Sequence, residues 1–239
     1  MITGIVVALP EELSTLTSKK IGKGCCVFIS DKIVLAYSGA GADNARAASE
    51  LLIAQGAAQL VSWGCAAALT EFLIPGDLVL ADTLIDAEAN QIRIHNDWFE
   101  LAKNLLSTRL KIHTGSLAES LGIVAAAADK KHLHTQTGAI AVDMESIAVA
   151  KVARQNNVPF IAIRTIADPA GMDLPKAINH SLNDQGDIVL AKLLLFLALH
   201  PAELPGLIKL GLHFNAAKNT LKSVAKQLDR LTALASQDR

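Results

Sequence analysis

Glu145 and Asp168 are the residues whose type and spacing first suggest chemistry. Glu145 follows the short stretch Ala141-Val142-Asp143-Met144, and Asp168 follows the nearly continuous apolar run Phe160 to Ile166, which reads as a buried parallel strand. Between them, Ser146 to Asn156 carries apolar residues at Ile147, Ala148, Ala150, Val152 and Ala153, the pattern of a packed helix. A strand, helix, strand order brings both acids to one end of a sheet, where α/β enzymes bind their ligands. Each acid alone has an ordinary explanation. Glu145 suits a helix N-terminus, where the dipole favours an anion, and Asp168-Pro169 turns the chain. A third acidic position strengthens the functional reading: the apolar run Ile2 to Leu9 ends at Pro10-Glu11-Glu12, again a strand end at which a helix begins.

The elements that must position these acids alternate between strand-like and helix-like runs, the signature of βαβ units. After the opening strand, Cys25 to Ser30 and Lys32 to Tyr37 predict a hairpin about Ser30-Asp31. Asp43 to Gln55 predicts a helix, Gln59 to Trp63 a buried strand, and Asp77 to Leu84 a strand after Pro75-Gly76. Asn96 to Leu106 predicts a helix, Lys111 to Ser116 and Gly122 to Ala126 strands, and Gln185 to Leu199 a helix. No internal repeat or low-complexity tract interrupts this order. The expected class is α/β, with a central mixed twisted sheet flanked by helices.

Several segments together resemble the nucleoside phosphorylase superfamily, and within it the nucleosidases that cleave methylthioadenosine and S-adenosylhomocysteine. They are Gly4-Ile5-Val6-Val7-Ala8-Leu9-Pro10-Glu11-Glu12, Tyr37-Ser38-Gly39-Ala40-Gly41, Val61 to Ala68, Val142-Asp143-Met144-Glu145, and Ile163-Arg164-Thr165-Ile166-Ala167-Asp168. They run in consistent order over roughly the first 200 residues, a length suited to one domain. The resemblance implies a three-layer phosphorylase-like fold with a catalytic domain over residues 1–200 and a helical extension over 201–239. It implies that Glu12 activates water and Asp168 protonates the purine, while Met144 lies under the ribose and Glu145 binds its hydroxyls. Ser38, Gly39, Gly41, Gly64, Cys65 and Ala66 would line the sugar and acceptor pocket, and Gly122, Ile123 and Val142 the purine pocket. The Val61 to Ala68 segment is poorer in Gly and Ser than is usual in that family.

Breaking an N-glycosidic bond develops positive charge on the sugar and electrons on the base, so an acid must face the purine and anions the ribose. A glutamate can accept from two hydroxyls, a methionine offers a polarizable apolar floor, and a second glutamate can take the proton of water. The acceptor is water or phosphate. Purine phosphorylases typically hold phosphate with arginines, one just before the small-residue strand end. Here that stretch reads Leu60-Val61-Ser62-Trp63-Gly64, without one, which favours water. Arg46 and the Gly39 to Gly41 turn still offer an anion site at a helix N-terminus. No cofactor is expected, with phosphate the one candidate co-substrate. A non-catalytic nucleoside-binding protein is the rival reading, and Glu12 speaks against it, since binding alone needs Glu145 more.

Composition bounds these readings. The chain has 239 residues, 51% of them hydrophobic, and a formal net charge of −1, enough for a full α/β core but without a field that attracts nucleic acid. Cys25, Cys26 and Cys65 suit neither a disulfide framework nor a metal site, which points to a reducing cytoplasm. No secretory signal is evident at the N-terminus. Gly39-Ala40-Gly41-Ala42-Asp43-Asn44 half-fits a dinucleotide fingerprint, but Asn44 replaces the third glycine. Asp129, His132 and His134, beside Lys130 and Lys131, read as exposed polar residues rather than metal ligands, since nothing completes a set.

The tail carries a separate pattern. Leu193 to Leu199 is too short and too closely flanked by Lys192 and His200 to span a bilayer. Beyond Pro201 and Pro205, Leu207, Leu210, Phe214, Ala217, Leu221, Val224, Leu228 and Leu231 are spaced alternately by three and four, a heptad seam. Lys218, Lys222, Lys226 and Arg230 form a basic stripe. Such a helix packs on its own domain or on the partner in an expected homodimer, or it makes a peripheral contact with the inner face of the membrane. The tail resembles that of the hopanoid-associated phosphorylases, which implies a small-molecule nucleoside substrate linked to a polycyclic lipid.

Overall fold

A computed structural model describes residues 1–94, 97–181 and 189–234. Its sheet is organised around β4 (Ala57–Ala68), which is buried along most of its length. One edge of β4 pairs in parallel with β1 (Ile2–Val7) as far as Trp63 and then, at Ala67 and Ala68, antiparallel with β8 (Ala141–Asp143). The other edge pairs in parallel with β9 (Phe160–Asp168), every residue of which is buried, in keeping with its nearly continuous apolar run. Residues 64–66 of β4 therefore have no strand beside them on the β1 and β8 side.

Beyond β1 lie β3 (Ile33–Tyr37), parallel to it, and β2 (Cys25–Ser30), antiparallel to β3, so the expected hairpin forms and makes an open wing. On the other side β9 pairs antiparallel with β5 (Leu78–Ile85), and β5 pairs in parallel with β7 (Ile112–Glu119) and antiparallel with β6 (Gln91–Arg93). Since β7 pairs with β8, the strands β4, β9, β5, β7 and β8 close into a ring. The result is the mixed α/β architecture expected. Helices α2 (Ala42–Ala54) and α5 (Ser146–Gln155) pack on each other and on β4, while α8 (Leu204–Ala225) covers β9 and α9 (Leu228–Leu234) packs on α3 (Asp97–Ser107). Short α1 (Pro10–Leu13), α4 (Ala127–Thr137), α6 (Lys176–Ser181) and α7 (Leu190–Leu199) sit between them.

The strand expected over Gly122 to Ala126 does not form. The neighbour that β7 pairs with, β8, ends at Asp143 opposite Glu119, so no ladder remains for the residues after Glu119 to join. The chain instead turns, with Ser120 Oγ bonded to the backbone of Gly122, and starts α4, a helix that its polar composition conceals. Asn96 and 185–188 of the helices expected over Asn96 to Leu106 and Gln185 to Leu199 lie outside the described residues.

The seam of the tail turns inward. Ala217, Leu221, Val224, Leu228 and Leu231 are buried, and all but Ala217 belong to the same apolar core as Ile5, Leu60 and Ile163. Trp98 Nε1 donates to the Leu231 carbonyl over 2.8 Å, tying α3 to α9. Position 200 therefore separates no second core, and the basic residues Lys222, Lys226 and Arg230 stay exposed on the far side. Leu221→Ala should lower the free energy of unfolding by about 2–5 kcal/mol, read from urea denaturation, because the cavity lies inside the main core.

Candidate active site

The gap in the β4 edge is filled by an acid. Pro10 starts α1 immediately after β1, and Glu12, two residues on, folds back toward the sheet. Its Oε2 accepts from Leu9 N–H over 3.1 Å and its Oε1 from Cys65 N–H over 2.7 Å, satisfying an amide that no strand reaches. Gly64 is required here for space: a Cβ would stand 2.7 Å from Glu12 Oε1. Glu12 is 3% exposed. Burial pushes its pKa from 4.5 up to about 7, against the pull of Arg164 and the two amides, with Glu145 adding to the rise.

A second group of charges meets at the end of β8. Asp143 Oδ1 accepts from Ser146 N–H over 3.2 Å, and Oδ2 from Ser146 Oγ and Arg164 Nε, each over 2.5 Å. Arg164 Nη2 donates to Ser62 Oγ over 2.7 Å and stands 4.0 Å from Glu145 Oε2. Asp143 thus serves the start of α5, which frees Glu145 from the helix-capping role. Glu145 Oε1 instead accepts from Gly41 N–H over 2.9 Å and Oε2 from Met144 N–H over 3.3 Å. Each oxygen keeps a lone pair for a further donor. Burial and the adjacent Asp143 raise the pKa of Glu145, while Arg164 and the two amides lower it.

Asp168 ends β9, two residues beyond Ile166, and lies opposite Ala67 across a shift of register. Its Oδ2 is 2.7 Å from Lys130 Nζ, and its Oδ1 is buried without a hydrogen-bond partner among the described residues. Burial raises the pKa and Lys130 lowers it. Glu12, Glu145 and Asp168 therefore line the same edge of the sheet, at the ends of β1, β8 and β9 around the tip of β4.

The other expected residues divide. Gly39 and Gly41 adopt φ of 82° and 96°, a region that favours glycine, and Gly41 gives its N–H to Glu145. Ser38 Oγ is held by the carbonyl of Gly39 at 2.7 Å. Gly64, Cys65 and Ala66 lie on β4 between its pairings with β1 and β8. Burial, then Glu12, pushes the Cys65 thiol well above its usual range, so it is no thiolate. Met144 is half-buried beside Glu145. Gly122 and Ile123 lie exposed on the turn after β7, whose Ser120 N–H reaches the Asp143 carbonyl at 2.9 Å. Val142 is 4% exposed and packs with Leu69, Ile85, Ala118 and Ala139. Arg46 is exposed and paired with Asp43 at 3.4 Å rather than turned to the Gly39 to Gly41 turn.

Sequence reasoning passed over Asp143, Arg164 and Lys130. Arg164 did carry a signal, since a cation inside a fully apolar strand demands a buried carboxylate. Lys130, expected among exposed polar residues, is 0% exposed, and nothing in the polar run of α4 distinguishes it from Lys131.

Comparison with known proteins bears on this geometry. Residues 3–194 match the phosphorylase superfamily. The chain belongs to that family. It is similar to the 5′-methylthioadenosine/S-adenosylhomocysteine nucleosidase of Staphylococcus saprophyticus, 30% identical over 201 residues that cover 71% of this chain and 87% of the relative. The nucleosidase of the same name from Thermotoga maritima is 31% identical over 104 residues, 41% of this chain and about half of the relative (48%). Among solved structures, the Helicobacter pylori nucleosidase superposes with a TM-score of 0.71 at 20% identity over 97% of both chains. Futalosine hydrolase from the same organism superposes with a TM-score of 0.72 at 19% identity, over 95% of this chain and 97% of that one. These superpositions cover nearly the whole chain.

The raised pKa of Glu12 couples site and stability. The unfolded carboxyl ionises near 4.5 and the folded one near 7, so stability contributed by the protonated form is complete below 4.5 and lost as pH rises through 7. Glu12→Gln removes that dependence. Relative to wild type it should gain about 3 kcal/mol in unfolding free energy between about pH 4.5 and pH 8, measured by urea titration at both.

Proposed function

We propose that this protein cleaves the N-glycosidic bond of a 5′-substituted adenosine, releases adenine, and uses water as the acceptor. The observation that carries this reading is the arrangement of Glu12, Glu145 and Asp168 around one strand tip, with an oxygen of Asp168 that has no partner among the described residues. Asp168 protonates the purine as the bond breaks. Glu145 accepts from the ribose hydroxyls, and with Glu12 it sets carboxylates against which an oxocarbenium-like sugar is stabilised. Glu12, titrating near neutrality, takes the proton of the incoming water. The names of the Staphylococcus saprophyticus and Helicobacter pylori relatives agree with a nucleosidase. Water is favoured over phosphate because Arg46 is exposed and paired with Asp43, and Arg164 is taken up by Asp143 and Ser62. No cofactor is needed for these steps.

Purified protein should release adenine from methylthioadenosine or S-adenosylhomocysteine equally with and without phosphate. Asp168→Asn should reduce turnover by about 10² or more while nucleoside binding persists. Strict dependence on phosphate would make the protein a phosphorylase, and an unimpaired Asp168→Asn would remove Asp168 from the mechanism.

A finer reading of the substrate rests on the exposed face of α7 and α8. Leu194, Leu195 and Leu199, with Leu204, Ile208 and Leu212, are 48–69% exposed. Helix α7 packs on α6, whose first residue Lys176 donates its N–H to Glu203 Oε2 over 2.9 Å at the start of the tail. No single helix among the described residues is long and apolar enough to cross a membrane. Such a patch suits an apolar 5′ substituent, as in an adenosyl hopanoid met at the inner membrane surface. Co-sedimentation with anionic vesicles should be measurable at low salt and lost in Leu195→Glu/Ile208→Glu with adenine release from methylthioadenosine intact; its absence in the intact protein would count against membrane contact.

A further inference from the structure

Among the described residues Lys130 is the most deeply buried cation outside the Arg164 cluster, and its neighbours on α4, Asp129 and Lys131, are polar and exposed. An ammonium taken wholly out of water is tolerated only if its donors are satisfied and its charge matched. Both conditions are met. Nζ donates to Asp168 Oδ2 at 2.7 Å, to the Met172 carbonyl at 2.7 Å and to the Pro169 carbonyl at 3.1 Å, which uses all three N–H groups. Pro169 and Met172 belong to the turn that directly follows Asp168. The same turn is bound to the start of α4, where Ala127 N–H donates to Asp173 Oδ1 over 2.7 Å, and to the preceding loop, where Leu174 N–H meets the Ala125 carbonyl at 2.8 Å. Helix α4 and the turn after β9 thus form one braced unit with Lys130 at its centre.

The consequence for Asp168 is asymmetric. One carboxyl oxygen is fixed, and the other is buried without a hydrogen-bond partner among the described residues. An unpartnered buried oxygen on a residue whose other oxygen is immobilised has its direction set by that anchor. We propose that Lys130 is a positioning residue for purine protonation: it holds Asp168 by Oδ2 so that Oδ1 presents the proton to the leaving base, and it pairs with the carboxylate left behind. This rests on the assignment of Asp168 as the acid.

The step balances. The electron pair of the glycosidic bond goes to the purine, the proton leaves Asp168 Oδ1 for a ring nitrogen, and the new carboxylate forms an ion pair with the ammonium already in contact. Water supplies the hydroxyl that closes on the sugar and gives its proton to Glu12. A cation at this position strengthens the acid, opposing the burial that holds its proton. Lys130 on α4 is the charged group that acts on Asp168, while Asp173 on the adjoining turn is directed to the Ala127 amide.

The test is steady-state kinetics of the full chain on methylthioadenosine across pH, with Lys130→Met, Lys130→Gln, Asp168→Asn and the Lys130→Met/Asp168→Asn double variant. Lys130→Met should lose about 10- to 100-fold in kcat with KM within a few-fold, and its alkaline limb should move to higher pH because the acid is weaker without the cation. Lys130→Gln, which keeps a donor, should show the same alkaline displacement if the methionine variant does not fold. In the Asp168→Asn background the lysine substitution should cost less than about 3-fold further. A wild-type alkaline limb in whichever lysine variants fold, or a full multiplicative loss in the double variant, would make Lys130 merely structural and overturn the proposal. Normal turnover in Asp168→Asn would instead remove the acid assignment, and the role of Lys130 with it.

Discussion

A guanidinium held inside a parallel sheet must find carboxylates, and much of this site is set by how Arg164 does so. Arg164 lies in β9, is 2% exposed, and is matched by Asp143 at the end of β8 with Ser62 of β4 as a further acceptor. The ion pair therefore ties together three strands of the closed ring just below their ends. With Asp143 committed to Arg164 and to the first turn of α5, Glu145 is left to turn toward the Gly39 to Gly41 loop. Removing either partner of such a pair leaves a buried charge uncompensated, so the arrangement is held to one geometry.

The second determinant is a break in pairing. One edge of β4 is shared between β1 and β8, which approach from opposite ends and do not meet. The exposed Cys65 amide between them needs an acceptor, and Glu12 supplies it from a turn that Pro10 starts at the right place. Pairing geometry thus delivers a carboxylate to the strand tip, and Gly64 leaves the room it occupies.

Burial acts on both proposed proton-handling groups but with different company. Glu12 sits among backbone amides and Arg164 and ends near neutrality, suited to a base. Asp168 faces the Lys130 ammonium, with its other oxygen unbonded among the described residues, suited to an acid whose conjugate carboxylate has a partner waiting. Two carboxylates with separated roles on one strand edge is the arrangement that acid and base catalysis at one bond requires.

Much of this was legible in the sequence because it depends on local period and on order along the chain. The apolar runs of β1, β4, β5 and β9, the hairpin of β2 and β3, and the helices α2, α3 and α5 are set by spacing alone, as is the placement of Glu12, Glu145 and Asp168 at element ends. The tail seam was legible too, though not its partner: only packing showed that Leu221, Val224, Leu228 and Leu231 join the main core. What the sequence could not carry is whatever depends on which elements meet. Gly122 to Ala126 has strand composition but no free edge to join, and Lys130 matches Lys131 in type while one is buried and the other exposed. Period and composition determine an element and its faces, whereas the partner of a buried charge or of an unpaired amide is decided by residues distant in sequence, and only the tertiary structure brings those together.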